Sequence, residues 1–163
     1  MFGRYTEKAP RVIFFAQYEA SQFGSLLIEP EHLLLGVLRE DARFVRTLPT
    51  GAVESARKQV EELTPPREKV TTSVDLPLSN SAKRVLVYAE DEADRLHHSH
   101  IACEHMVLGL LHKTESTASN ILQTLGSGPS RCGASHRPMR MIHRTQGEFF
   151  LPVIGDTAHD LPT

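Results

Sequence analysis

The chain has 163 residues, a formal net charge of −2, an apolar fraction of 40% and a charged fraction of 23%. That balance suits a soluble globular protein with a real core and gives no electrostatic reason to expect a nucleic-acid partner. The longest apolar runs, such as residues 33–38, are too short to span a bilayer, and the first eight residues lack a signal-peptide apolar segment, so a cytoplasmic location is expected.

Ala9, Val12, Ile13, Ala16, Ala20 and Phe23 recur at three- and four-residue steps and predict a first amphipathic helix, with Gly24 as its stop. A second, more apolar helix is expected from about Pro30 to Arg39. Apolar residues crowd most of its circumference, so it should be buried. Phe44, Val45 and Leu48 mark a short third helix. Val53, Ala56, Val60 and Leu63 mark a fourth. Residues 70–74 are β-prone but lie between Pro65-Pro66 and Pro77, and read as part of an extended linker. A new helix follows on Ala82, Val85, Leu86, Ala89, Ala93 and Leu96. Another runs from about Cys103 to Lys113. A third, on Ala118, Ile121, Leu122 and Leu125, ends at Gly126.

The second series echoes the first. Ala9-Pro10-Arg11-Val12-Ile13-Phe14-Phe15-Ala16 aligns with Ala82-Lys83-Arg84-Val85-Leu86-Val87-Tyr88-Ala89 at an offset of 73. The same offset, without gaps, pairs Glu19-Ala20 with Glu92-Ala93, Ile28 with Ile101, and Glu31-His32-Leu33-Leu34-Leu35-Gly36 with Glu104-His105-Met106-Val107-Leu108-Gly109. One constant offset over nearly thirty residues is the mark of a duplicated structural unit. The expected fold class is all-α, with repeat 1 at about 2–64 and repeat 2 at about 77–126. A fourth helix of repeat 2 should fall near 124–136, yet Gly126, Gly128, Pro129 and Gly133 break that stretch. Residues 127–163 read as an irregular tail whose apolar cluster, Phe149 to Ile154, is expected to dock in part on the body.

Phe2-Gly3-Arg4-Tyr5-Thr6-Glu7-Lys8-Ala9, together with Ile28-x-x-Glu31-His32-Leu33-Leu34-Leu35-Gly36 and Ile101-x-x-Glu104-His105-x-x-Leu108-Gly109, resembles the amino-terminal domain of Clp chaperones over about residues 2–125. The resemblance implies a compact bundle of two four-helix repeats related by a pseudo-twofold axis. It also implies a non-catalytic module, not an enzyme, that needs no cofactor. Its expected partners are protein substrates, adaptors, or Clp ATPase and protease subunits, and neither nucleic acid nor membrane. In full-length Clp chaperones ATPase modules follow this domain. No G-x-x-x-x-G-K-[ST] phosphate loop occurs in this sequence, so the chain resembles the binding domain standing alone.

Four residues are the candidate binding groups. Thr6 and Ser79 sit where helix N-caps are expected, and helix starts offer unpaired N–H groups and a positive dipole end to an anion. Glu31 and Glu104 open the second helix of each repeat, where a carboxylate can take a guanidinium in a bidentate bond. Some members of the family bind phosphorylated arginine in this way, and the resemblance carries that role to Thr6 with Glu31 and to Ser79 with Glu104. All four residues also fit plain capping and first-turn charges. Family members usually carry Thr before each signature Glu, whereas this chain has Pro30 and Cys103. Pro30 suits a first helical position, with Glu29 as the cap. Pro10 leaves two starts open for the first helix: at Thr6, or at Pro10 itself, which would displace Thr6 and spoil the first pocket. His32 and His105 are expected to pack or hydrogen-bond at the helix starts, and Gly36 and Gly109 to mark close helix–helix approach.

His97, His98, His100, Cys103 and His105 are a rival signal, since imidazole and thiol suit zinc or nickel. Their spacing matches no H-E-x-x-H or paired C-x-x-C arrangement, so a solvated loop is the expectation and a metal-binding protein the alternative. A degenerate relative of the family is a further alternative. Cys103 and Cys132 alone make no disulfide framework.

Overall fold

The structure, a computed structural model, describes residues 3–112 and 115–126. Seven helices run through them: α1 (Lys8–Gln22), α2 (Pro30–Glu40), α3 (Ala42–Thr47), α4 (Ala52–Leu63), α5 (Asn80–Arg95), α6 (Cys103–His112) and α7 (Thr117–Gly126). Among the described residues there is no strand, only two isolated bridges. The tail at 127–163, with the expected docking of Phe149 to Ile154 and nearly all of the fourth helix sought near 124–136, lies outside the described residues.

Each repeat is built on a helical hairpin whose closeness is set by glycine. A Cβ on Gly36 would overlap the carbonyl oxygen of Val12 and lie 3.1 Å from the Ala16 amide. A Cβ on Gly109 would overlap the carbonyl oxygen of Val85 and lie 3.1 Å from the Ala89 amide. The offset of 73 is thus reproduced as a physical contact. Against this approach α2 buries His32 to Leu38, and α6 buries Cys103 to Leu110 except Glu104. Full burial of each Leu or Val contributes about 1.5–3 kcal/mol relative to exposure.

Both hairpins turn the same way. Gly24 has φ +65° and His97 has φ +56°, each just past its helix. The Ser25 amide donates to the Ala20 carbonyl at 2.9 Å and the His98 amide to the Ala93 carbonyl at 2.8 Å, closing the last turn in the manner of a Schellman motif. At Gly24 only glycine fits, because a Cβ would strike the Glu68 carbonyl oxygen and Arg67. Position 97 carries a histidine in the left-handed region, a conformation that costs a non-glycine residue about 1 kcal/mol.

The repeats are stitched together crosswise. Tyr5 bridges Ile101, and Ile28 bridges Leu78. The Thr6 amide donates to Ile101 O at 2.9 Å and the Ile101 amide to Arg4 O at 2.8 Å. The Ser79 amide donates to Ile28 O at 3.0 Å and the Ile28 amide to Pro77 O at 2.9 Å. Each position in one joint is the 73-residue counterpart of a position in the other. The leading segment of each repeat therefore pairs with the hairpin loop of its sibling, which is the pseudo-twofold relation expressed in hydrogen bonds.

A buried carboxylate sits at one position in both repeats. Glu19 of α1 pairs with Arg57 of α4 at 2.6 Å and Arg39 of α2 at 3.4 Å. Arg39 also lies over the Phe15 and Tyr18 rings, and Arg57 over Phe23. In repeat 2, Glu92 is equally buried, His112 takes the place of Arg39, and its ring stacks on Tyr88 with centroids 4.0 Å apart. Glu92 Oε2 makes an ion pair with Arg95 at 3.4 Å but accepts no hydrogen bond among the described residues. Burial pushes the Glu92 carboxyl upward, with Arg95 opposing.

Candidate functional site: two crossed helix starts

The two joints bring helix starts together, and they do so in a different pairing from the one the sequence suggests. Thr6 is hydrogen-bonded to the loop that leads into α6 and Glu104. Ser79 is hydrogen-bonded to the loop that leads into α2 and Glu31. The sequence offers Thr6 with Glu31 and Ser79 with Glu104, and the backbone bonds link Thr6 to the loop before Glu104 and Ser79 to the loop before Glu31. The reason is the twofold: an offset between repeats identifies equivalent residues, while the joints connect a residue to the other repeat.

At the Ser79–Glu31 joint, Ser79 is buried and its hydroxyl accepts from the Ala82 amide at 3.1 Å, the N-cap expected of it. The Asn80 and Ser81 amides head α5, ahead of any intrahelical partner. Across the joint Glu29 is the N-cap of α2, and Pro30 follows as its first residue. Glu31 is partly buried, and burial pushes its carboxyl upward, with Glu29 adding to the effect.

The Thr6–Glu104 joint is built less regularly. α1 starts at Lys8, with Glu7 as N-cap and no side-chain cap bond. Neither start foreseen for this helix is the observed one. The Ala9 amide donates to the Thr6 carbonyl at 3.0 Å, while the Thr6 hydroxyl is buried without a hydrogen bond among the described residues. Pro10 is the third helical residue, where a missing N–H costs little because the first four have no intrahelical acceptor. Glu104 is exposed in the first turn of α6. Cys103 beside it is buried, and burial pushes its thiol to about 12, so it is neither a thiolate nor a cap.

The signature histidines cap the second helices. The Glu29 amide donates to His32 Nδ1 at 3.0 Å, and the Ala102 amide to His105 Nδ1 at 2.9 Å. An amide can only donate, so each Nδ1 is bare and the ring proton sits on Nε2. His32 Nε2 is buried without a hydrogen-bond partner among the described residues, and its ring stacks on Phe23. Burial drives His32 down to about 4. His105 Nε2 lies 2.8 Å from His98 Nδ1.

The same contact answers the rival reading of His97, His98, His100, Cys103 and His105. His98 and His105 aim at each other with no room for an ion between them, given zinc–nitrogen bonds of about 2.0–2.1 Å. His100 Nδ1 turns to Ser99 Oγ. No group of three His, Cys, Asp or Glu converges among the described residues. No helix among them is long and apolar enough to cross a membrane. The residues that sequence reasoning passed over are Glu19 and Glu92. The signal was present as an acidic residue repeated on the apolar face of both first helices.

The model of the Clp repeat (R) N-terminal domain matches residues 4–125. The chain belongs to this family. Rice chloroplastic chaperone ClpC2 is 36% identical over 149 residues, 89% of this chain and 16% of that protein. ClpC/MecB of Bacillus subtilis, a negative regulator of genetic competence, is 37% identical over 130 residues, 77% of this chain and 16% of that protein. The chain thus spans about a sixth of the length of these relatives. The N-terminal domain of the chaperone ClpD from Arabidopsis thaliana superimposes with a TM-score of 0.61 at 28% identity, covering 77% of this chain and 87% of that one. The Candida albicans Hsp104 N-terminal domain, 22% identical with a TM-score of 0.55, shares the fold. Clp N-terminal domains are non-catalytic, substrate- and adaptor-binding modules of Clp chaperones.

Proposed function

We propose that this chain captures protein substrates or adaptors for a Clp protease or chaperone in the cytoplasm, and that the two crossed joints hold client side chains of the phospho-arginine type. The supporting observation is the duplicated hydrogen-bonded joint, which sets a hydroxyl-bearing helix start against the loop that carries a signature glutamate. A phosphoryl group would meet the helix-start amides, and the guanidinium the glutamate of the other repeat. The Ser79–Glu31 joint is the stronger of the two. It keeps the Asn80 and Ser81 amides, whereas at the other joint Pro10 has no N–H and Glu7 adds a like charge beside the anion.

The test is titration of a labelled peptide carrying one phospho-arginine, with the unmodified arginine peptide as control. Binding of the modified peptide alone is expected. Glu31→Ala should weaken it about tenfold, the loss of one charge-assisted contact, and Glu104→Ala by less. Equal losses would overturn the ranking, and no preference for the modified peptide would overturn the phospho-arginine reading. Retention of a Clp ATPase hexamer, an adaptor or an unfolded client on immobilised protein tests the broader reading. Retention no greater than on a surface-scrambled control counts against it.

A further inference from the structure

The His98–His105 contact has no counterpart in repeat 1, where position 25 is serine and His32 meets Phe23 instead. Its chemistry is fixed by the atoms around it. His105 Nδ1 is bare because it accepts the Ala102 amide, so neutral His105 carries its proton on Nε2 and donates to His98. His98 Nδ1 must then be bare as well. A proton on His98 Nδ1 would face the His105 N–H. A proton on His105 Nδ1 would face the Ala102 N–H. The two bonds, Ala102 to His105 and His105 to His98, therefore coexist only with both rings uncharged.

This contact also sits at a junction. His98 is the residue whose backbone amide closes α5 on Ala93. Its loop carries Ile101, which holds Arg4 and Thr6 by two backbone bonds, and it ends at the start of α6 beside Glu104. The charged and titratable groups around it are Asp94 from α5, His97 and His100 from the loop, Glu104 and Cys103 from α6, and Arg4 from the leading segment, which pairs with Asp94.

We propose that the His98–His105 hydrogen bond is a proton-operated latch on the Thr6–Glu104 joint: protonating either ring frees the 97–101 loop and loosens the leading segment that forms one side of the joint. The assignment of this joint as a binding site rests on the function proposed above; the latch itself does not. Burial holds His105 below the ordinary histidine range, against the opposing pull of Glu104, so neutrality is favoured near pH 7 and lost on acidification. The Ser79–Glu31 joint has no such pair, since His32 faces Phe23; a His32→Gln background removes that histidine's own titration and makes this joint the internal control.

The experiment is amide hydrogen exchange on the full chain at pH 7.5 and 5.5, corrected for intrinsic rates. Thr6 and Ile101 report on the latched joint, and Ser79 and Ile28 on the other. Protection at Thr6 and Ile101 should fall about tenfold relative to Ser79 and Ile28 on acidification, the effect of about one pH unit of titration in the latch. His98→Asn keeps an acceptor for His105 Nε2 without a titrating ring and should remove most of that difference. An equal change at both joints, or an undiminished difference in His98→Asn, overturns the latch. Neither readout needs a ligand. Failure of the phospho-arginine peptide to bind at neutral pH would defeat the site reading, while the protection ratio alone decides the latch.

Discussion

Repeat 1 closes its buried carboxylate with two arginines from two further helices, whereas repeat 2 meets the same carboxylate with a histidine and a neighbour one turn along its own helix. Glu19 has Arg39 and Arg57, and Glu92 has Arg95 with His112 in the Arg39 position. A buried charge tolerates its surroundings only when paired and hydrogen-bonded. Glu92 Oε2 lacks the hydrogen bond among the described residues, and burial shifts its carboxyl toward neutrality against the pull of Arg95 and His112. Duplication thus preserved the backbone frame and let the polar interior diverge. Glycine contacts, turn geometry and joints match position for position, while the groups around Glu92, His105 and Thr6 do not match those around Glu19, His32 and Ser79.

The shared frame can be broken first. Gly36→Ala and Gly109→Ala each force a methyl into a backbone carbonyl that cannot move aside, and each should cost about 3 kcal/mol, lowering Tm by about 10 °C. Markedly unequal losses in thermal melts would show that the hairpins are not equivalent.

The histidines sharpen the comparison next. His32 is held near 4 against an unfolded value of 6.5. A folded value below the unfolded one contributes stability that is complete above pH 6.5 and is lost as pH falls through 6.5 toward 4, about 3 kcal/mol in all. His32→Gln keeps an acceptor for the Glu29 amide and should flatten that window in denaturant titrations. An unchanged pH profile would show that His32 is not the group responsible.

The carboxylates come third. Glu19→Gln leaves two half-exposed arginines unpaired and should cost about 2 kcal/mol, whereas Glu92→Gln at pH 7 should cost under about 1 kcal/mol. The reverse order in urea denaturation would contradict the pairing seen here. The smallest contrast lies at the caps. Ser79→Ala should lose about 1 kcal/mol with the Ala82 bond, while Thr6→Val should be neutral or slightly stabilising because the hydroxyl has no partner among the described residues.

The helices, the duplication and the capping role of the signature histidines were legible in the sequence because they rest on local periodicity, a constant offset and helix-end chemistry. The glycine contacts were legible for the same reason, since Gly in a buried helix needs a close neighbour to justify it. The joint partners were not legible. Thr6 and Glu31 look like a pair when read within one repeat, and only the twofold arrangement hands Thr6 to Ile101 and Ser79 to Ile28. The start of α1 was obscured by Pro10, which is compatible with any of the first helical positions. Glu19 announced itself as a repeated acidic residue, but its partners lie 20 and 38 positions away, beyond the reach of pattern.

The crossed joints have one more consequence. A lone repeat would carry a leading segment and a hairpin loop that cannot satisfy each other, each ending in backbone groups without mates. Two identical single repeats would satisfy both at once by swapping segments, as a homodimer does. Fusion of the two copies into one chain makes that exchange intramolecular, independent of concentration, and leaves each half free to mutate away from self-complementarity.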